Sequence, residues 1–140
     1  MTYAGLNINF MQVGRRFNID ASTRCNLLCP GCSRTIDMAT GNRNWDITDL
    51  KLEYLQALLH PRNKIRCVTY NGALSDPIYS GTMTEQLEYI NTLEFRPRVI
   101  ISTNGSGRNE KWWKQFSSLL RKQDWLQFSI DGLEDTNHIY

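Results

Sequence analysis

Apolar positions along this chain switch between two periods. From Arg16 to Ser22 they fall on every second residue, at Phe17, Ile19 and Ala21, which predicts a half-buried strand running into the loop that follows. From Asp46 to Leu59 they recur at helical spacing, at Ile47, Leu50, Tyr54, Leu55, Leu58 and Leu59, with Asp46 or Thr48 as N-cap and Pro61 past the end. The strand pattern returns from Lys64 to Tyr70 and breaks at Asn71-Gly72. Helical spacing resumes from about Thr84 to Leu93 through Leu87, Ile90 and Leu93. A third unit joins a strand over Arg98 to Thr103, a turn at Asn104-Gly105, and a helix capped by Asn109 that carries Trp112, Trp113, Phe116, Leu119 and Leu120. A fourth strand, Trp125 to Ile130, reaches Asp131-Gly132, where a further helix is predicted to begin.

Four strand–helix units in succession predict an α/β fold with a parallel sheet and right-handed crossovers, either an open sheet or part of a barrel. Met1 to Val13 fits two placements, a short added strand or a cover for the bottom of the sheet. Parallel α/β proteins build their sites from loops at the C-terminal ends of strands. The loop after the first strand, Asn71 to Pro77, Thr103-Asn104-Gly105 and Ser129-Ile130-Asp131-Gly132 are therefore expected to share one face. Taken singly, Asn-Gly and Asp-Gly are ordinary turn formers, because both tolerate positive φ.

Composition narrows the class without choosing a function. A chain of 140 residues with 41% hydrophobic and 21% charged residues predicts one soluble domain with a core of its own. A net charge of +2 gives no concentrated basic surface, so a nucleic-acid partner is not expected. No apolar run approaches the roughly 20 residues of a membrane span, and the N-terminus lacks a secretory pattern. A cytoplasmic setting, where thiols stay reduced, is the expectation.

The chemistry is concentrated in Arg24-Cys25-Asn26-Leu27-Leu28-Cys29-Pro30-Gly31-Cys32-Ser33. Four cysteines scattered at random would give C-x3-C-x2-C roughly 0.003 times per chain of this size, so the clustering is not accidental. Spacing alone leaves the metal open. An iron–sulfur cluster of the four-iron type normally takes four thiolates, and three leave one iron free for chemistry. Structural zinc needs a fourth ligand, for which Cys67, His60 and His138 are the candidates. A Cys29–Cys32 dithiol would leave Cys25 unexplained. Structural disulfides are disfavoured by the missing secretory signal.

Cys25, Cys29 and Cys32 in the loop after the first strand resemble the signature of the radical S-adenosylmethionine (SAM) enzymes, whose partial (β/α)6 barrel carries C-x3-C-x2-C at that place. The resemblance implies a [4Fe-4S] cluster on these three thiolates, with SAM chelating the fourth iron through its amino and carboxylate groups. It further implies an external electron donor and an oxidoreductase-type reaction, in which reductive cleavage of SAM yields a 5′-deoxyadenosyl radical that abstracts hydrogen from substrate. The segment Val68 to Pro77 lies where the family has its Gly-Gly-Glu-Pro-like motif, so Asn71, Gly72 and Asp76 are implied SAM contacts. Asn104 in the third-strand motif, and Ser129 and Asp131 in the fourth, resemble the SPASM/twitch branch that modifies peptides and proteins. That branch implies a peptide or protein substrate, and the serine at position 129 is implied beside the SAM ribose.

The chain departs from the family in three places. Gly31 stands where an aromatic residue usually precedes the last cysteine, Asn71-Gly72 and Asp76-Pro77 replace a contiguous Gly-Gly-Glu-Pro, and residues 1–140 reach only the fourth of six strands. The expected organisation is a radical SAM core truncated after its fourth strand. A non-catalytic iron–sulfur or zinc module is the alternative.

Neighbouring residues have expectations of their own. Arg24 and Arg34 flank the cysteines and are read either as counter-charge to a thiolate-bound cluster or as solvated surface arginines. Cys67 is expected as a small buried hydrophobe. His60 is expected at the last carbonyls of the preceding helix. Of the adjacent Trp112 and Trp113, at most one can point squarely into a core.

Overall fold

The computed structural model describes residues 15–136; the segment Met1 to Val13 and the candidate ligand His138 lie outside them. Four strands, β1 (Arg15–Ile19), β2 (Ile65–Tyr70), β3 (Arg98–Thr103) and β4 (Trp125–Phe128), form one sheet in the order β1-β2-β3-β4, and every adjacent pair is parallel. Between them run the helices α1 (Ser33–Thr40), α2 (Leu52–Leu58), α3 (Met83–Thr92) and α4 (Glu110–Ser118). This is the predicted succession of βα units. No helix among the described residues is long and apolar enough to cross a membrane.

Alternation within the strands gives the sheet two unlike faces. Val68, Tyr70, Val99 and Ile101 point to one side, where they form the core with Leu55, Leu59, Leu87, Ile90 and Phe116. Burying such side chains contributes about 1.5–3 kcal/mol each. In-register neighbours Asn18, Thr69, Ile100 and Trp125 point to the other side, above Arg16 and below Asn71, Ser102 and Gln127. These eight residues line an open cleft of about 440 Å³. Interiors of closed β/α barrels are packed with branched apolar residues. This face is polar, which suits a ligand better than a core.

Several element boundaries differ from the sequence expectation. The helix expected from Asp46 begins only at Leu52, with Lys51 as its N-cap. Residues 46–50 are tied instead to the strand exit: Thr23 N donates to Thr48 O and Leu50 N to Ala21 O, both at 2.9 Å, and Ser22 bridges Asp49. The backbone groups that a first helical turn would need are taken by that pairing. β1 ends at Ile19 and β4 at Phe128, each earlier than its apolar pattern. After Asp131-Gly132 the chain makes a turn over Leu133–Thr136, and the rest of the segment where a further helix is expected lies outside the described residues.

α1 was not foreseen, because Ser33–Thr40 has no apolar stripe to bury: Ile36 and Met38 are exposed. His60 does not reach the carbonyls at the end of α2. Its Nδ1 accepts from Arg62 N at 3.3 Å, while Asn63 Nδ2 donates to Ala57 O and Leu58 O. Cys67 is buried. Trp112 and Trp113 are both half-buried at the edge of the core, whose central position goes to Phe116, 4.7 Å from Trp112 between ring centroids.

The N-terminal end of the sheet is closed by one buried ion pair. Arg96 donates from Nη1 and Nη2 to the two oxygens of Asp124 at 2.9 and 2.6 Å, and that carboxylate also accepts from Val99 N and Arg121 N at 2.8 Å. Burial alone would raise the pKa of Asp124. The Arg96 hydrogen bond, the two backbone donors and the Arg96 charge outweigh it and hold the carboxyl below its usual range.

Candidate functional site

At the opposite end of the sheet the strand exits of β1, β2 and β3 are fastened to one another by side chains. Asp76 is the central strut. Its Oδ1 accepts from Thr103 Oγ1 at 2.7 Å and from Ile78 N at 3.2 Å, and its Oδ2 accepts from Asn104 N at 2.6 Å. Its own N–H donates to Arg24 O at 2.8 Å, which ties the cysteine loop to the loop after β2. Asp76 is 5% exposed, so this carboxylate serves inside the fold and is not offered to solvent. The Asp-Pro step explains the local shape, since Asp76 caps the short 3-10 turn Pro77–Tyr79.

Asn104 carries the connection to the thiols. Its Nδ2 donates to Asn26 Oδ1 at 3.1 Å and lies 3.9 Å from Cys25 Sγ, while its Oδ1 accepts from Ser106 N and Oγ. Asn26 Nδ2 returns a bond to Ser106 Oγ at 2.9 Å, and Tyr79 Oη donates to Ser106 O at 3.0 Å. Asn26, Ser106 and Tyr79 were not singled out from the sequence. Their only local signal is position beside Cys25 and Asn104.

The three cysteines sit on one loop leading from β1 to α1. All are free thiols of intermediate exposure. Leu27 N donates to Cys25 Sγ at 3.4 Å, Cys32 N closes a turn onto Cys29 O at 3.0 Å, and Cys32 is the N-cap of α1. Burial pushes the Cys25 thiol up, with the Leu27 N–H and Arg34 opposing and Asp76 and Cys29 adding to the rise. Among the described residues no group of three or more His, Cys, Asp or Glu side chains converges closely enough to hold a metal ion. The loop therefore presents three sulfurs without having drawn them together.

The two flanking arginines have separate fates. Arg24 is half-exposed and lies 3.4 Å from Asp49 Oδ1, an ion pair of the weak surface kind. Arg34, at the start of α1, is 7% exposed, and its Nε and Nη1 are enclosed with no hydrogen-bond partner. An enclosed cation without an anion, next to three sulfurs that become anionic on binding metal, fits a negatively charged thiolate-bound group. The donor set fits as well, since soft thiolates select iron–sulfur clusters and zinc.

The other sequence-predicted residues lie on the same rim without joining this network. Gly72 has φ +55°, and a Cβ there would stand 2.1 Å from Ser75 O, so the turn requires glycine. Asn71 opens onto the polar cleft. Ser129 donates its N–H to Thr103 O at 2.8 Å, extending the β3–β4 pairing, and its side chain and that of Asp131 are exposed. Asp20, also missed in the sequence, braces the β2 loop by accepting from Ala73 N at 2.7 Å and Ser75 Oγ at 3.3 Å.

A parallel four-stranded sheet with helices on one face, a polar open face and a three-cysteine loop after β1 has the architecture of a partial β/α barrel. Two solved structures of BtrN share it. One is the complex with AdoMet and 2-DOIA, at TM-score 0.61 and 17% identity, covering 87% of this chain and 48% of that one. The other is the selenomethionine protein in an open conformation, at TM-score 0.61 and 16% identity, covering 90% of this chain and 55% of that one. The chain thus spans about half the length of the structures it matches. No family model and no curated protein matches the sequence.

Proposed function

We propose that this chain forms the cluster-binding part of a radical SAM enzyme. The observation that carries the reading is the position of C-x3-C-x2-C: it falls on the loop after β1, at the C-terminal end of a sheet whose fold matches BtrN. Cys25, Cys29 and Cys32 would hold a [4Fe-4S] cluster. A cluster held there would supply one-electron reductive cleavage of SAM, with the electron coming from an external donor, and so hydrogen abstraction from substrate.

The remaining residues bind, orient and shield. Cys25 must lose its proton to become a ligand, and burial, which raises its pKa, makes that loss a cost of loading. Asp76 and Asn104 fix the cysteine loop against β3, which replaces loop entropy with a held geometry. Asn71, Gly72, Ser129 and Asp131 stand on the same rim and are proposed, with Asp76 and Asn104, as the SAM-contacting set. For Asp76 that role is indirect, because both of its oxygens are already engaged. The polar cleft of Asn18, Thr69, Ser102 and Gln127 is proposed to receive the substrate, which includes peptide or protein side chains as candidates.

Anaerobic purification, reconstitution with iron and sulfide, reduction with dithionite and addition of SAM test the reading. Release of 5′-deoxyadenosine supports it. A cluster that forms without SAM cleavage favours a non-catalytic iron–sulfur module, and zinc in place of iron overturns both.

A further inference from the structure

The guanidinium of Arg34 has no explanation in the hydrogen bonds of the fold. Nε and Nη1 are enclosed and unpartnered, and among the described residues no carboxylate pairs with it. Of the seven enclosed side-chain polar atoms that lack a partner, four belong to Arg34, its neighbour Thr35, and Trp45. The Trp45 ring lies 5.6 Å from the Arg34 guanidinium and also takes Arg43 at 4.8 Å. Two cations share that ring.

Magnitudes decide whether this arrangement stands by itself. A cation–π contact contributes about 0.5–2 kcal/mol, whereas burying an ion costs several kcal/mol before any partner offsets it. One shared ring does not offset that cost. An anion does, and the cysteine loop that would carry one runs directly into the first turn of α1, where Cys32 is the N-cap and Arg34 follows two residues later.

We propose that Arg34, and not Arg24, is the positioning residue that neutralises the anionic group bound by Cys25, Cys29 and Cys32 and raises its reduction potential. The proposal rests on the reading of these thiols as cluster ligands. Arg24 is spent on Asp49 and shares its field with water. Arg34 has neither competitor, so its charge acts on the site at low screening. With the cluster absent it is a destabilising charge, and with the cluster bound it is paired.

The test compares the full chain with Arg34→Met, Arg34→Lys and Arg24→Gln, each reconstituted anaerobically. EPR-monitored redox titration is expected to give Arg34→Met a lower midpoint potential, with at least a tenfold smaller reduced-to-oxidised ratio at a fixed potential, or about 59 mV for one electron. Arg34→Lys keeps the charge and shifts less, and Arg24→Gln shifts least. Before reconstitution, Arg34→Met is expected to resist urea at least as well as the parent, because an unpaired charge has been removed. A potential unchanged in Arg34→Met overturns the proposal, and loss of urea resistance alongside it identifies Arg34 as a packing residue. A parent chain that takes up zinc or no metal overturns the ligand reading and this proposal with it.

Discussion

Two arginines are largely shielded from solvent, Arg96 near one end of the sheet and Arg34 beyond the other, and they differ in what faces them. Arg96, at the N-terminal end, meets Asp124 through Nη1 and Nη2 and completes a carboxylate that accepts four bonds. Arg34, at the C-terminal end, meets an aromatic ring and no acceptor. The first end is closed in itself. The second is left open beside three free thiols, as expected where a fold gives up local stability for a binding site.

The largest effect in that comparison should come from breaking the closed end. Asp124→Ala leaves Arg96 buried and unpaired and is expected to cost about 3–5 kcal/mol in urea unfolding. Arg34→Met should cost nothing. Acid sharpens the same contrast. The Asp124 carboxyl is depressed in the fold, so its contribution is complete above the unfolded value of about 3.9 and is lost as pH falls through the lower folded value. Asp124→Asn should flatten that acid limb of the stability profile.

Next in size is Asp76, the strut of the open end. Asp76→Ala strands Thr103 Oγ1 and the N–H groups of Asn104 and Ile78, and should cost about 1.5–3 kcal/mol per the charged bonds lost. It should also loosen the cysteine loop, seen as faster amide exchange at residues 24–27. Gly105→Ala forces a Cβ at φ +73° to within 2.6 Å of Phe128 Cδ1, for an expected cost of about 1–2 kcal/mol. Cys67→Ala, remote from the thiol loop, should change stability by about 1 kcal/mol and leave metal content unaltered.

The parallel fold was legible because strand and helix periods alternate cleanly, and every unusual turn sits after a strand. Local signals misled where tertiary pairing overrode them. Ile47 and Leu50 keep helical spacing, yet Asp46 to Leu50 is held extended by Ala21, Ser22 and Thr23. α1 escaped notice because its stripe is polar, although Gly41, in the left-handed C-cap at φ 72°, marks its end. Cys25, Cys29 and Cys32 could be read from spacing, which is a property of the chain. The burial of Arg34 could not, because it depends on Trp45 folding back over α1.

Whether three sulfurs share one cluster is tested most directly by iron counting with Mössbauer spectroscopy on the reconstituted chain. The predicted result is about four irons per chain in one cluster for the parent and for Cys67→Ala. Each of Cys25→Ala, Cys29→Ala and Cys32→Ala should lose it. Retention of a full cluster in any of those three variants, or its loss in Cys67→Ala, would contradict the assignment.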